Sequence, residues 1–479
     1  MTQKWKDRLI FLPAAVFTLL YFTLIFNRNI WSDEGFTIQL IQGTPAQITI
    51  GTAQDVHPPL YNYYAKLFQA VFGHSLKVQK IAAILPMVAT LALGPTCIRR
   101  RFGYTAGILF TLLLGCLPCS MEFALQVRMY SLALFLVTLC ALMALSAYET
   151  GSLKALVIYA VTGAAAAYTH YFALLPAFLI AFFYLLAVLR DLRTAQGEQQ
   201  KVRAKSGFRA WLITAVLMIV SYLPWVPLFL KQIGSVQESY WIPPITSATM
   251  LQYLTWPFAL KDLQWTAAWF LFLTVLVLFV RTKEKKLIAI SFLIPVVTAA
   301  FGIIWSVLPG NSVIYRDQYI FPAMGLFCAG LAVGLSKMPK LERTAGQAGF
   351  CPEKLLILLM VPVLALGVGQ YIQVFHQEYL SSNIEKTLDF MDERLGENDY
   401  IIYNFEKFGY LYCLYFPPER TFFMMDYDFT TPADNLYFLD TPAEGDLNPD
   451  LLAAYNWIGE DMGEYGIEHN PFEIIWYHH

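Results

Sequence analysis

The sequence predicts an α-helical protein that crosses a membrane many times and carries a small α/β unit at its C-terminal end. Three observations predict it. Of 479 residues, 57% are hydrophobic and only 14% are charged, against roughly 25% charged in soluble domains. The apolar residues gather in long runs of the length that a bilayer needs. The charge is split: residues 373–479 hold 21 acidic and 4 basic side chains, whereas 1–372 hold 14 and 29. A soluble enzyme, a nucleic-acid binder and a disordered scaffold are excluded for the chain as a whole.

A spanning helix needs about 20 mostly apolar residues. Eleven segments qualify, at about 9–26, 78–97, 104–120, 128–148, 155–169, 172–189, 210–230, 263–280, 287–307, 319–336 and 355–372. The first is preceded by Lys4, Lys6 and Arg8 but has no small-residue cleavage site after it, so it reads as a retained helix. Segments 155–169 and 172–189 are separated only by a turn around Tyr168, Thr169 and His170. Basic residues set the orientation. With the N-terminus inside, the cytoplasmic segments carry 21 Lys and Arg and the outer loops of the membrane part carry 8. The expected localisation is a multi-pass cell-membrane protein with a cytoplasmic N-terminus and an extracytoplasmic C-terminal unit. The predicted division is 1–372 for the membrane domain and 373–479 for the acidic unit.

The first outer loop, about 27–77, is too long for a simple connection. It reads as two short helices lying in the membrane interface. Pro58 and Pro59 suit a helix start, and Tyr61, Tyr64, Phe68 and Val71 then recur at helical spacing. In the C-terminal unit Ser382 with Glu385 forms a capping box, and Ile384, Leu388, Met391 and Leu395 form a helical stripe closed by Gly396. Residues 400–403, 436–439 and 474–477 read as short strands.

Loop 1 holds the polar groups with chemistry in them. Trp31-Ser32-Asp33-Glu34-Gly35 sets two adjacent carboxylates just past the first helix, and Asp55-Val56-His57-Pro58-Pro59 follows in the same loop. Ionisable groups at this depth are costly and are functional candidates by default. A carboxylate against apolar surface serves as a general base, and an imidazole beside it orients substrate or binds phosphate. The plain alternative is a solvated acidic turn followed by a polar helix start.

Together these stretches, W-S-D-E-G-F-T and D-V-H-P-P-L-Y-N-Y-Y, resemble the GT-C superfamily of polytopic glycosyltransferases, in particular its protein O-mannosyltransferase and aminoarabinose-transferase type. Arg128-Met129-Tyr130-Ser131, Tyr168-Thr169-His170-Tyr171 and Tyr315-Arg316-Asp317-Gln318-Tyr319 agree with it. The resemblance covers about residues 1–335. One departure stands out: the aminoarabinose-transferase type has a Glu-Lys pair before its prolines, where this chain has Val56-His57.

What the resemblance implies is an inverting transfer from a polyprenyl-phosphate-linked sugar, on the non-cytoplasmic face, to a lipid, glycan or protein acceptor. Asp33 is then the base, with Glu34 and Asp55 as further catalytic candidates. His57, Arg128, Tyr130, His170 and Arg316 are the substrate-binding candidates, the two arginines meeting the phosphate. The alternative for Arg128 and Arg316 is snorkelling at the interface, or an ion pair with Glu122 or Asp317. A divalent metal is compatible with Asp33, Glu34, Asp55, His57 and His170, but no ligand spacing requires one. Cys116-Leu117-Pro118-Cys119 has redox-motif spacing without the surround, so it reads as packing. No phosphate loop, H-E-x-x-H or G-x-S-x-G occurs. The rival classes are a secondary transporter or flippase of a lipid-linked saccharide and a scaffold subunit. Matched repeat halves and midplane charges, which a transporter should show, are not visible.

Overall fold

The computed structural model describes residues 7–238, 242–258, 265–308, 313–338, 352–380, 383–406, 409–442, 444–467 and 470–479. Each of the eleven apolar segments contains helix. Seven described helices are long and apolar enough to cross a membrane: Leu76–Phe102, Tyr130–Thr150, Tyr171–Thr194, Glu198–Ser235, Lys285–Val307, Asp317–Ser336 and Leu355–Phe375. An eighth candidate is a bent pair, Tyr104–Gly115 and Pro118–Leu125, turned by 68°. The break falls where Pro118 opens the second half and offers no N–H to continue the first. The segments predicted at 9–26, 155–169 and 263–280 form shorter helices, Leu12–Thr23, Leu153–Ala167 and Trp265–Phe279. At about 1.5 Å per residue the first two are shorter than the hydrocarbon thickness of roughly 30 Å, and the third is the part of its segment that lies within the described residues.

The Asp317–Ser336 helix is the most enclosed. Gly325, Gly330 and Gly334 bring its backbone against Thr138, Ser291 and Val277, where a Cβ would collide. Glu198–Ser235 is peripheral, with most of its apolar side chains on the outside. At the end of the bundle away from loop 1, Arg101 donates to Glu149 at 2.6 and 2.7 Å and to Glu284 at 3.2 Å.

Loop 1 forms three helices rather than the two expected: Ser32–Leu40, Pro45–Gln54 and Leu60–Phe72. Thr44 and Gln47 cap each other's backbone N–H groups, which starts the middle helix and splits a stretch that apolar patterning alone leaves continuous. The third begins after Pro59 as anticipated, burying Tyr61 and Ala65 and exposing Leu67, Val71 and Phe72.

The C-terminal unit is a five-stranded sheet, in the order β2-β1-β3-β5-β4, with helices packed on it. β1 (Tyr400–Tyr403) lies parallel to β2 (Thr421–Phe423) and β3 (Leu436–Asp440); β5 (Asn470–His478) is antiparallel to β3 and to β4 (Ile458–Ile467). The three predicted strands fall in β1, β3 and β5. The helical stripe forms Asn383–Arg394, while Ser382 of the expected capping box lies outside the described residues. Glu385 instead faces loop 1.

That contact joins the two halves of the molecule. Ile30, Ile38 and Val127 share one buried core with Ile384, Leu388, Met391, Ile401, Leu411 and Tyr412. Arg28 donates to Glu385 at 2.8 and 2.5 Å and lies 3.4 Å from Asp389, and the Tyr415 hydroxyl donates to the Arg28 carbonyl at 2.7 Å. The Arg28 hydrogen bond holds the Glu385 carboxyl below its usual range, against a partial desolvation. A lowered carboxylate contributes stability above its unfolded pKa and loses it as pH falls through the folded value. Because the pair is partly exposed, its worth is about 1 kcal/mol or less. Glu385→Gln is therefore expected to make the C-terminal unit detach more readily at neutral pH, read by limited proteolysis near residue 380. The wild type should reach the same susceptibility only on acidification below about pH 4.5.

Candidate active site

The site is assembled where loop 1, the turn before Tyr130 and the turn before Tyr171 meet. Asp33 and Glu34 lie in the first turn of the Ser32–Leu40 helix, and their side chains do different things. Glu34 is buried and accepts from the Trp31 N–H at 2.7 Å and from the Val127 N–H at 2.6 Å. Its two oxygens thus cap its own helix and pin the 126–129 turn beside it. Asp33 stays 43% exposed on its side chain and faces outward from this frame.

Arg128 is drawn into the same place. Its side chain is only 7% exposed; it donates to the Asp33 carbonyl at 3.2 Å and to the Thr37 hydroxyl at 3.1 Å, and stands 3.7 Å from the Asp33 carboxylate. Such burial is the opposite of snorkelling, and the Asp33 carboxylate is the ion-pair partner beside it. Burial works to lower the Arg128 pKa, yet the charges of Asp33 and Asp55 outweigh it and the net shift is upward, so the guanidinium stays charged. Its Nε is buried without a hydrogen-bond partner. A buried cation with an unused donor suits an anionic ligand.

Two imidazoles lie close enough to Arg128 to feel its charge, and they pack on each other. His57 and His170 have ring centroids 5.2 Å apart, and His170 also packs on Tyr130 at 5.7 Å and Tyr319 at 5.0 Å. His170 caps the Tyr171–Thr194 helix: its Nδ1 accepts from the Phe172 N–H at 3.0 Å. A neutral ring that accepts at Nδ1 carries its proton on Nε2. That Nε2 and the Nδ1 of His57 are both buried without a partner. The turn bearing His57 is fixed from two directions. The Leu60 N–H donates to the Tyr168 carbonyl at 2.9 Å, and Gln232 donates to the carbonyls of Thr52 and Asp55 at 2.9 and 2.5 Å.

Burial raises the Asp55 pKa, partly offset by Arg128. Burial, with Arg128 adding to it, pushes both histidines well below their usual value, and each is uncharged at neutral pH. Tyr130 is buried, with the Gln318 amide 3.4 Å from its hydroxyl. Arg316 is half-buried at the start of the Asp317–Ser336 helix, near enough to Tyr130 to act on it electrostatically. Asp33, Asp55, His57, Arg128, Tyr130 and His170 are thus brought together, Glu34 supports them, and Arg316 stands at the margin. Among the described residues no three His, Cys, Asp or Glu side chains converge as a metal site.

An apolar cavity of about 460 Å³ opens from the histidine pair. His57, His170 and Gln232 stand at its polar end, and Phe172, Leu175, Phe178, Phe301 and Trp305 line its length. Phe178 and Phe301 at its edge are exposed on their helices.

Tyr410 completes the surround and was not foreseen from the sequence. It sits on the Gly409–Tyr415 helix of the C-terminal unit, packs edge-on to Phe36 at 6.2 Å, and interacts with Ser32 and Asp33. Burial and then the Asp33 charge push its hydroxyl up to about 12, so it remains a donor at any working pH. Gly35 permits the approach: a Cβ there would meet Leu411 at 2.9 Å and Tyr410 at 3.3 Å.

Comparison with known proteins bears on the fold. Residues 56–225 match the family model described as dolichyl-phosphate-mannose-protein mannosyltransferase. The chain superposes on ArnT from Cupriavidus metallidurans in the apo state with a TM-score of 0.57, covering 97% of each chain at 12% identity. On the same protein bound to undecaprenyl phosphate the score is 0.57, covering 99% of this chain and 98% of that one at 12% identity. The chain thus shares the overall fold of ArnT over nearly its full length. Curated protein sequences contain no match to it. This likeness in fold runs beyond residue 335, where the resemblance read from loop 1 stopped, and takes in the C-terminal unit.

The buried neutral histidines carry a consequence for stability. In the unfolded chain an imidazole protonates near pH 6.5; in the folded chain these two do not. Acidification below that point charges only the unfolded state and removes stability, by up to about 1.4 kcal/mol per pH unit for each histidine. Thermal unfolding is expected to show a melting temperature falling from pH 7 to pH 5, with a shallower fall in His57→Gln.

Proposed function

We propose that this protein is a membrane glycosyltransferase that moves a sugar from a polyprenyl-phosphate-linked donor to a hydroxyl acceptor, with inversion at the anomeric carbon. One observation carries the reading. Three unpartnered buried nitrogens, on Arg128, His57 and His170, gather between an apolar cavity and an exposed carboxylate. An ordinary core leaves few such groups unsatisfied; a phosphate with a hydrocarbon tail satisfies them and fills the cavity as well.

In this reading the polyprenyl chain enters past Phe178 and Phe301. Each buried CH₂ adds about 0.8 kcal/mol. The phosphate accepts from the Arg128 guanidinium and from the Nε2–H of His170, with His57 beside it, and Tyr130 and Arg316 flank the sugar end. Asp33 takes the proton of the acceptor hydroxyl while its oxygen attacks the anomeric carbon. The bond from that carbon to the phosphate oxygen breaks, and the electron pair leaves with the polyprenyl phosphate, whose growing charge Arg128 stabilises. Glu34 and Asp55 do not need to react: Glu34 holds the frame, and Asp55 adds negative charge that keeps Arg128 in place. The fold and the mannosyltransferase family model support this reading, as does the undecaprenyl phosphate bound by the similar ArnT.

We take the bent pair and the three shorter helices to complete eleven crossings. With basic residues gathered on the N-terminal side, this puts Asp33 and the C-terminal unit on the non-cytoplasmic face. There lipid-linked donors, not nucleotide sugars, are at hand.

Purified protein should transfer sugar from an undecaprenyl-phosphate-linked donor. Asp33→Asn should lower that transfer by roughly 10²–10⁴-fold while leaving donor binding intact. Undiminished turnover in Asp33→Asn, or use of a nucleotide sugar in place of the lipid donor, would overturn the assignment.

A further inference from the structure

We propose that the C-terminal unit builds the acceptor subsite: Tyr410 walls it over Asp33, and the acidic surface behind it selects an uncharged or cationic hydroxyl compound over an anionic one. The inference rests on the reading of Asp33 as the base and names the substrate class for that site.

Inversion dictates where the acceptor must stand. The attacking oxygen and the leaving phosphate oxygen lie on opposite faces of the anomeric carbon. The phosphate is assigned to the buried nitrogens of Arg128, His57 and His170, so the acceptor is assigned to the face of the sugar met by the exposed Asp33 carboxylate. What stands beside Asp33 is its own Ser32–Leu40 helix and, packed against it, the Gly409–Tyr415 helix. Tyr410 interacts with both Ser32 and Asp33, and its ring lies edge-on to Phe36 at 6.2 Å. The approach is fixed at several points: Leu411 and Ile38 share one core, Gly35 leaves room for the contact, and Arg28 binds Glu385 and the Tyr415 hydroxyl. A half-buried tyrosine offers an acceptor both a flat apolar wall and a hydroxyl donor.

Charge adds the selectivity. Residues 373–479 carry 21 acidic and 4 basic side chains, and three of the acids, Glu385, Asp389 and Asp392 on the Asn383–Arg394 helix, share Arg28 of loop 1. An anionic acceptor approaching Asp33 along this unit meets like charge, while a neutral or cationic one does not.

The test uses the full chain, a panel of undecaprenyl-phosphate-linked sugars, and small hydroxyl probes that differ in charge: choline, ethylene glycol and glycolate, competing with water. The readout is the ratio of glycoside to free sugar, which a merely structural role for Tyr410 does not move. Wild type should form choline and ethylene glycol glycosides at least about fivefold faster than the glycolate product at low ionic strength, with the gap narrowing in salt. Tyr410→Ala should shift the ratio toward free sugar, and Tyr410→Phe, which keeps the ring, should restore most of it. Equal use of glycolate, or an unchanged ratio in Tyr410→Ala, overturns the proposal while leaving the glycosyltransferase reading intact. If wild type turns over none of the donors, that reading fails instead. Labelling of Asp33 with a carbodiimide and glycinamide then decides the wall: faster modification in Tyr410→Ala than in wild type and Tyr410→Phe upholds it, and equal rates reject it.

Discussion

The buried guanidinium of Arg128 is the constraint around which the rest is arranged. A cation taken out of water needs compensation that a lipid-facing bundle does not offer by default. Here the compensation comes from loop 1. Arg128 binds the Asp33 carbonyl and the Thr37 hydroxyl and lies beside the Asp33 carboxylate, with the charge of Asp55 also acting on it. This ties the turn before Tyr130 to the first interfacial helix. Glu34 makes the tie from the opposite direction by accepting from the Val127 N–H. Burial keeps His57 and His170 uncharged, the Arg128 charge adds to it, and uncharged rings tolerate the apolar cavity that begins beside them. Remove the positive charge and the two acids, the two imidazoles and the loop that carries three of them lose their common reference.

The sequence made the membrane part legible because bilayer physics is a strong filter. An apolar run of about 20 residues has few alternatives to helix, and all eleven runs contain one. What hydropathy does not measure is where a helix stops. Pro118 bends one candidate by 68°, and Leu12–Thr23 and Leu153–Ala167 are shorter than a full crossing. In loop 1 the Pro58-Pro59 start was plain, whereas the Thr44–Gln47 cap that adds a third helix is a local exchange of hydrogen bonds with a weak compositional mark. In the C-terminal unit the apolar strands β1, β3 and β5 were readable. β4, which runs Ile-Gly-Glu-Asp-Met-Gly-Glu-Tyr-Gly-Ile, was not, because an exposed edge strand with a bulge lacks clean alternation.

The candidate site divides in the same way. Asp33 and Glu34 are adjacent, so a motif displays them, yet their opposite environments follow from a backbone N–H at Val127 and an arginine at 128, far along the chain. His57 and His170 are separated by four of the eleven apolar segments, and only packing sets their rings 5.2 Å apart. Tyr410 has no sequence signal at all. Its place depends on Gly35 and on the Arg28–Glu385 pair, contacts that join residues more than 350 positions apart. The C-terminal unit is therefore part of the site's architecture rather than an appendage, since its core includes Ile30, Ile38 and Val127 from the membrane domain.

The central claim is that Arg128 and the two neutral imidazoles receive a lipid-linked phosphate. Binding of undecaprenyl phosphate to purified wild type and to Arg128→Gln, measured side by side with thermal unfolding to confirm that both are folded, tests it most directly. A charge-assisted hydrogen bond is worth about 1.5–3 kcal/mol, so the account predicts an affinity for Arg128→Gln lower by roughly ten- to hundredfold. Equal affinity in two folded proteins would contradict it.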